Sequence, residues 1–127
     1  MAKEFTVLLE DRPGSLADLT EALAKHAINI VALHATPCPS NGIVQFITDN
    51  TDATVTALKN IDMDYTAHEV LMVSVPHQPG ALAQLARAIG DAGININSVY
   101  ITMAGQIVLD VSDVPKAQQV AMNLGIR

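Results

Sequence analysis

The residues of this chain that could do chemistry occur twice, in the same order and at the same spacing. Residues 11–16 read DRPGSL, residues 77–82 read HQPGAL, and an asparagine follows each glycine by fifteen residues, as Asn29 and Asn95. Glycine lets a backbone approach a ligand closely. The helix predicted after each turn begins with N–H groups that lack intrahelical partners and carry the positive end of the helix dipole. Such a turn suits a carboxylate or a phosphate.

The elements around each turn determine which residues can meet. Each asparagine stands where a second strand begins, at the far end of the intervening helix, so we expect it to lie away from the turn of its own copy. A second copy packed antiparallel would bring its asparagine to that turn. A small molecule with a carboxylate and an amine would satisfy such a shared site, with Asp11 facing the amine and Arg12 the carboxylate. The alternative is structural, since Pro-Gly before a helix is common turn punctuation.

The two turns belong to an internal duplication. Displacing the sequence by 66 residues places residues 5–36 on residues 71–102. The identities cluster in the turn and in Ile-Asn-Ile, where chance matches between apolar residues would have no reason to gather. They are Val7/Val73, Pro13/Pro79, Gly14/Gly80, Leu16/Leu82, Ala17/Ala83, Leu19/Leu85, Ala22/Ala88, Ile28/Ile94, Asn29/Asn95, Ile30/Ile96 and Thr36/Thr102.

Both copies predict the same succession of elements. The first strands are expected at residues 4–10 and 70–76. Apolar residues then recur at helical spacing and predict the first helices; they are Leu16, Leu19, Leu23 and Ala27 in one copy and Leu82, Leu85, Ile89 and Ala92 in the other. Gly93 suits the left-handed residue that ends a helix, whereas its counterpart is Ala27. The remaining elements are expected as second strands at 28–35 and 94–102, turns at Gly42 and Gly105, third strands at 43–48 and 106–111, second helices at 52–60 and 114–124 with caps at 49–51 and Asp113, and a fourth strand at 64–69.

This order predicts an α+β fold of two ferredoxin-like βαββαβ units in tandem, residues 1–69 and 70–127, each with an antiparallel sheet and helices on one face. No linker separates the units, so we expect residues 64–76 to form one long strand that serves both sheets. The second unit is expected to lack most of its last strand. An open sheet edge is usually covered, which favours a partner chain and hence a homodimer.

Composition and charge exclude several classes of function. The net charge is −6, and residues 1–69 carry the whole excess, with ten acidic and four basic residues. No basic stripe is present, so nucleic-acid binding is not expected. No apolar run approaches the roughly 20 residues of a membrane span or forms a signal peptide. With Cys38 as the single cysteine, a disulfide framework is excluded, and a cytoplasmic protein is expected.

Metal and catalytic interpretations have little support in the sequence. Four histidines and Cys38 fit no zinc spacing, and Cys38 has no adjacent base in sequence. The acidic residues at 49, 52, 62 and 64 are expected to form a solvated face. We therefore predict no catalytic residue, no metal and no cofactor.

Pro-Gly-small-Leu in the turn, followed by Ile-Asn-Ile at the second strand, resembles the ACT domain. ACT domains are small regulatory modules that bind amino acids and occur in enzymes such as phosphoglycerate dehydrogenase and aspartate kinase. The resemblance covers nearly the whole chain in two copies, and it implies a stand-alone tandem ACT protein without an attached catalytic domain. It implies a ligand held between two ACT units, against the first loop, the start of the first helix and the second-strand asparagine.

Carried onto this chain, the family pattern names a ligand-binding set in each copy. The first-copy set is Asp11, Arg12, Gly14, Ser15, Leu16 and Asn29, and the second-copy set is His77, Gln78, Gly80, Ala81, Leu82 and Asn95. Two departures from the pattern bear on ligand identity. Some members have asparagine where this chain has Asp11 and His77, and some have histidine where it has Leu9 and Val75.

The resemblance implies a non-enzymatic amino-acid sensor in which the ligand stabilises one packing of the units. The alternative is a regulatory subunit of an amino-acid biosynthetic enzyme, such as acetolactate synthase, acting mainly through protein–protein contact. An amino acid ligand, a second copy of the chain and a partner enzyme are therefore the expected partners.

Overall fold

The computed structural model describes residues 2–127, and their ten helices and strands confirm the α+β class and the order expected from the repeat. The first six elements are β1 (Ala2–Glu10), α1 (Ser15–Lys25), β2 (Ile30–Cys38), β3 (Asn41–Thr48), α2 (Thr51–Asn60) and β4 (Thr66–Val73). The remaining four are α3 (Ala81–Asp91), β5 (Ile96–Ile101), β6 (Ile107–Val111) and α4 (Val114–Asn123). None of the helices in this part of the chain is long and apolar enough to cross a membrane.

Two compact units divide the chain, one of residues 3–68 and one of residues 69–127 together with Ala2. In the first unit the strand order is β2-β3-β1-β4, and in the second it is β4-β6-β5. As expected from the absence of a linker, β4 is one strand whose residues belong to both units, but it spans only Thr66–Val73 rather than residues 64–76. The pairings β1–β3, β2–β3, β4–β6 and β5–β6 are all antiparallel.

The core of the first unit is built on strand alternation. Phe5, Val7 and Leu9 lie on one face of β1 and are buried, while residues between them face the other side. Phe5 pairs with Phe46 across the β1–β3 ladder, and their rings stack with centroids 5.6 Å apart. Leu19 of α1 and Leu58 of α2 are fully buried against these strands. Each such side chain contributes about 1.5–3 kcal/mol by leaving water.

The core of the second unit is built from aliphatic side chains alone, because both phenylalanines lie in the first unit. Its buried residues are Leu71, Val73, Leu85, Ile89, Ile94, Ile107, Leu109, Val111, Ala117, Ala121 and Ile126. Ile126 follows α4 and packs into this core, and the Ser74 N–H donates to the carbonyl of Arg127 at 2.6 Å.

All four helices end in the same way, with one left-handed residue. After α1 the Ile28 N–H donates to the Leu23 carbonyl at 3.1 Å and the Ala27 N–H to the Ala24 carbonyl at 3.0 Å, which is a Schellman motif. The left-handed residues have φ of 54° at Ala27, 53° at Asp62, 76° at Gly93 and 77° at Gly125. The first unit therefore holds a side chain at both positions where the second unit has glycine.

The turn expected at Gly42 lies elsewhere. Gly42 belongs to β3, where it pairs with Leu9, and the β2–β3 turn is made by Pro39 and Ser40. Ser40 takes the left-handed conformation with φ of 68°. The prediction placed the turn at Gly42 because glycine adopts a positive φ most easily, but here Ser40 adopts it. At Gly105 the expected turn is present, with φ of 85°.

A fully buried carboxylate in the first unit was not expected from the sequence. The side chain of Glu4 has no exposed surface, and its Oε1 lies 3.3 Å from the donating Nε2 of Gln45 and 3.4 Å from Nε2 of His68. Gln45 in turn contacts His34 at 2.6 Å. A buried polar side chain requires such partners, because one left without a hydrogen bond costs about 1–3 kcal/mol.

Candidate functional site

The helices that follow the Pro-Gly turns begin differently from the other two. Asn50 caps α2 by accepting from the Ala53 N–H, and Asp113 caps α4 by accepting from the Lys116 N–H. By contrast, α1 and α3 follow left-handed glycines, Gly14 and Gly80, and no side chain bonds to their first-turn N–H groups. The first N–H groups, of Ser15 and Ala81, donate to the carbonyls of Arg12 and Gln78 at 3.4 and 3.3 Å. The N–H groups that follow them in each helix are left to an external acceptor.

The turn of the first unit opens onto a cleft of about 670 Å³. Three segments line it: the C-terminal part of β1, the start of α1, and the connection from α2 to β4. The lining residues are Thr6, Val7, Leu8, Leu9, Glu10, Arg12, Ser15, Asp18, Ile61, Asp62, Met63, Asp64 and Thr66. All of them lie within the first unit.

Arg12 is held in place by two carboxylates at the mouth of this cleft. Its Nε lies 2.9 Å from Oε2 of Glu10, and its Nη2 lies 2.8 Å from Oδ2 of Asp18. The hydrogen bond to Asp18, and then that to Glu10, raises the pKa of Arg12 further above its usual value. Nη1 also lies 3.7 Å from the position that a Cβ on Gly14 would occupy. The guanidinium is therefore folded over the turn.

Ser15 fixes the turn to the end of β1. Its side chain is buried, and its Oγ donates to the carbonyl of Glu10 at 2.8 Å. Together with the Arg12 N–H, which donates to the same carbonyl at 2.9 Å, this closes the loop tightly. These two bonds attach the turn, which forms one wall of the cleft, to the end of β1.

The turn of the second unit opens onto a smaller cleft, of about 410 Å³. Its lining residues are Ser74, Pro76, Gln78, Pro79, Gly80, Ala81, Gln84, Leu124, Gly125 and Ile126. When the second copy is aligned on the first by the 66-residue displacement of the repeat, several of these residues fall on residues that line the first cleft. Among the described residues 2–127, none of those that line this second cleft is charged.

The structure brings some of the expected site residues to these clefts and leaves others outside. Arg12 and Ser15 line the first cleft, and Gln78, Gly80 and Ala81 line the second. The other turn residues of the expected sets lie beside the clefts without lining them: Asp11, Gly14, Leu16, His77 and Leu82. The two leucines are alike, being 43% exposed at residue 16 and 42% at residue 82.

Asn29 and Asn95 lie at the opposite end of their own unit from the turn. Eleven helical residues separate turn from asparagine in each unit, which is about 16 Å of helix. The Asn29 N–H donates to Oδ1 of Asp49 at 3.0 Å, and the Asn95 N–H donates to Oγ of Ser112 at 3.0 Å. Both asparagines are thus tied through their backbone to the end of a third strand. That each asparagine lies against the turn of another copy stays a prediction.

Sequence reasoning missed part of the first cleft. Asp18 lies one helical turn after Ser15, so its side of α1 could have been anticipated from i,i+3 spacing. Asp62 and Asp64 were expected in a solvated face; they are exposed, but they line the cleft. Only the packing of the α2–β4 connection against β1 places them there, and no local pattern signals it.

A family model of the ACT domain matches this chain twice, over residues 4–59 and residues 70–121. The chain belongs to the ACT domain family. Each match covers one βαββα stretch, and both ACT turns lie inside the matched residues. The resemblance expected from the repeated motif is thereby confirmed.

Several solved structures share the fold of this chain. Protein BT0572 from Bacteroides thetaiotaomicron matches with a TM-score of 0.90 and 29% identity over 98% of this chain and 89% of its own. The regulatory subunit of aspartate kinase from Thermus thermophilus, in its ligand-free form, matches with a TM-score of 0.70 and 19% identity over 93% and 86% of the two chains. That from Thermus flavus gives 0.71 and 19% over 96% and 88%. At 19% identity the likeness concerns the fold. No curated protein sequence matches the chain.

Proposed function

We propose that this ACT protein is a non-enzymatic regulatory protein that binds a free amino acid at the turn between a first strand and a first helix. The observation that carries the proposal is the cleft of the first unit, which is lined by a guanidinium, by several carboxylates and by the first residue of the uncapped helix α1. These groups are complementary to the two charges of a zwitterion. The family's regulatory character supports the same role.

The carboxylate of the ligand is best placed at the start of α1. The first N–H groups of that helix have no side-chain cap, and the dipole favours a negative charge there. Arg12 stands beside the same turn and offers further N–H donors. Charge-assisted hydrogen bonds of this kind are stronger than those between neutral groups.

The ammonium group of the ligand is best placed on the other side of the cleft. Asp62 and Asp64 lie there in the α2–β4 connection, and no salt bridge to either is present within residues 2–127. A ligand that reaches from α1 to this connection would tie it to the turn. The connection leads directly into β4, whose later residues belong to the second unit. Binding would therefore bias a segment shared by both units, to the extent that the ligand prefers one arrangement.

Calorimetric titration tests the proposal. Each of the twenty L-amino acids is titrated into the full chain, and any amino acid that binds is then compared with its α-carboxamide and its N-acetyl derivative. Because each derivative removes one of the two charges, both should bind at least about tenfold more weakly. Equal binding of all three would refute recognition of a zwitterion.

A regulatory subunit that acts mainly through protein–protein contact is the second candidate. Large apolar side chains at the end of β5 and in the following turn favour it, since Ile101 is 66% exposed and Met103 90% exposed. Such side chains are frequent in contacts between proteins. Co-purification of an enzyme with the chain, lost on Ile101→Ser and Met103→Ser but retained in amino-acid-free buffer, would establish this role.

A further inference from the structure

We propose that the amino-acid site is confined to the first unit, so that each chain binds one ligand, and that the site excludes aspartate and glutamate. This inference rests on the proposed function and specifies its site and ligand class. It starts from the comparison of two clefts that descend from the same repeat but carry different side chains.

The backbone of the turn is the same in both units. Gly14 and Gly80 have φ of 90° and 88°. The N–H groups of Arg12 and Gln78 each donate two residues back at 2.9 Å. The first full helical bonds, to the carbonyls of Gly14 and Gly80, measure 2.9 and 3.0 Å. Because the backbone contribution is equal, any difference in binding must come from the side chains.

The side chains differ at each equivalent position that could recognise a charge. The second unit replaces Glu10, Arg12, Ser15 and Asp18 by residues without charge. The replacements, in the same order, are Pro76, Gln78, Ala81 and Gln84. The segment opposite the turn changes likewise, from one containing Asp62 and Asp64 to Leu124, Gly125 and Ile126. None of the side chains that line the second cleft among the described residues is therefore a carboxylate that could bind an ammonium group.

The charge of the first cleft narrows the class of ligand. Four carboxylates and one guanidinium line it, which is a formal charge of −3. An amino acid with a neutral or cationic side chain enters with a charge of zero or more. Aspartate and glutamate bring a second carboxylate into a field of the same sign, and like charges brought together in a site oppose binding. The cleft thus fits neutral and basic amino acids.

Amide NMR on the ¹⁵N-labelled full chain locates the site whichever amino acid is the ligand. The probes are the twenty L-amino acids, added one at a time. We expect shifts within residues 10–18 and 61–66 for at least one neutral or basic probe, with residues 76–84 and 124–126 unmoved and no response to aspartate or glutamate. Shifts within residues 76–84 would refute confinement to the first unit while leaving the proposed function standing. No response to any probe would refute both.

Two matched sets of variants test the same inference by affinity for the probe that responds. Gly14→Val and Gly80→Val impose the same left-handed strain on a branched side chain, but only the first should abolish binding. Because either could disturb folding, the double variant Arg12→Gln with Asp18→Gln copies the side chains of the second unit onto exposed positions of the first. It should bind about tenfold more weakly or worse. Unchanged affinity with intact second-unit amide signals would overturn the proposal.

Discussion

Replacing Ala27 by glycine should stabilise the protein, although it removes a methyl group and adds no contact. Ala27 holds φ of 54° at the end of α1 and is exposed, so its Cβ contributes strain and little burial. A left-handed residue other than glycine costs about 1–2 kcal/mol. Glycine in turn loses about 0.4–1 kcal/mol through the greater freedom of the unfolded chain. The net gain in the free energy of unfolding should be about 0.5–1 kcal/mol.

The second unit supplies the matched reverse experiment. Gly93 occupies the same position after α3, with φ of 76°, and a Cβ built on it meets no atom within 4 Å. The change Gly93→Ala therefore introduces strain without a clash and should lower stability by a similar amount. Gly42→Ala is the control, since that glycine has neither a positive φ nor a near neighbour at its Cβ position.

Urea denaturation and thermal unfolding measure both changes. For a chain of this size, about 1 kcal/mol corresponds to roughly 4 °C in midpoint, so Ala27→Gly should raise the midpoint by about 2–4 °C and Gly93→Ala should lower it by as much. If Ala27→Gly lowers the midpoint, or if Gly93→Ala leaves it unchanged, then backbone strain does not govern these helix ends.

Other changes have equally definite outcomes. Asn50→Ala removes the cap of α2 and should cost about 1 kcal/mol in urea denaturation, with the exposed Thr56→Ala as its control. Gly90→Ala changes the exposed second-last residue of α3, where a Cβ meets open space, and should add about 0.5 kcal/mol, a sign opposite to that of Gly93→Ala. Leu19→Ala empties a fully buried position and should cost about 2–5 kcal/mol, whereas Leu16→Ala, nearly half exposed, should cost much less. Equal losses for the two leucines would contradict the core described for the first unit.

The fold could be predicted from the sequence because its signals are local and occur twice. The Pro-Gly turns, the leucine spacing of α1 and α3 and the caps at residues 50 and 113 each depend on a few neighbouring residues. The errors arise where a residue takes a strained angle that its type does not favour, as Ser40 does in the turn assigned to Gly42. Ala27 also takes a left-handed angle, but the repeat indicates it because the counterpart of Ala27 in the second unit is Gly93.

The candidate site was less predictable than the fold. The motif identified Arg12 and Ser15, which line the first cleft, because they lie in the turn itself. It could not identify Asp62 and Asp64, since they reach the cleft only through the packing of the α2–β4 connection. The partner of a buried charge is also set by tertiary structure, as the contact between Glu4 and Gln45, 41 residues apart, illustrates.

A thermal-unfolding screen of the full chain against the twenty L-amino acids tests the central claim most directly. A ligand at one hundred times its dissociation constant adds about 2.7 kcal/mol, which should raise the midpoint by roughly 10 °C in a chain of this size. We predict such a rise for at least one neutral or basic amino acid and none for aspartate or glutamate. A folded protein whose midpoint responds to no amino acid would contradict the account.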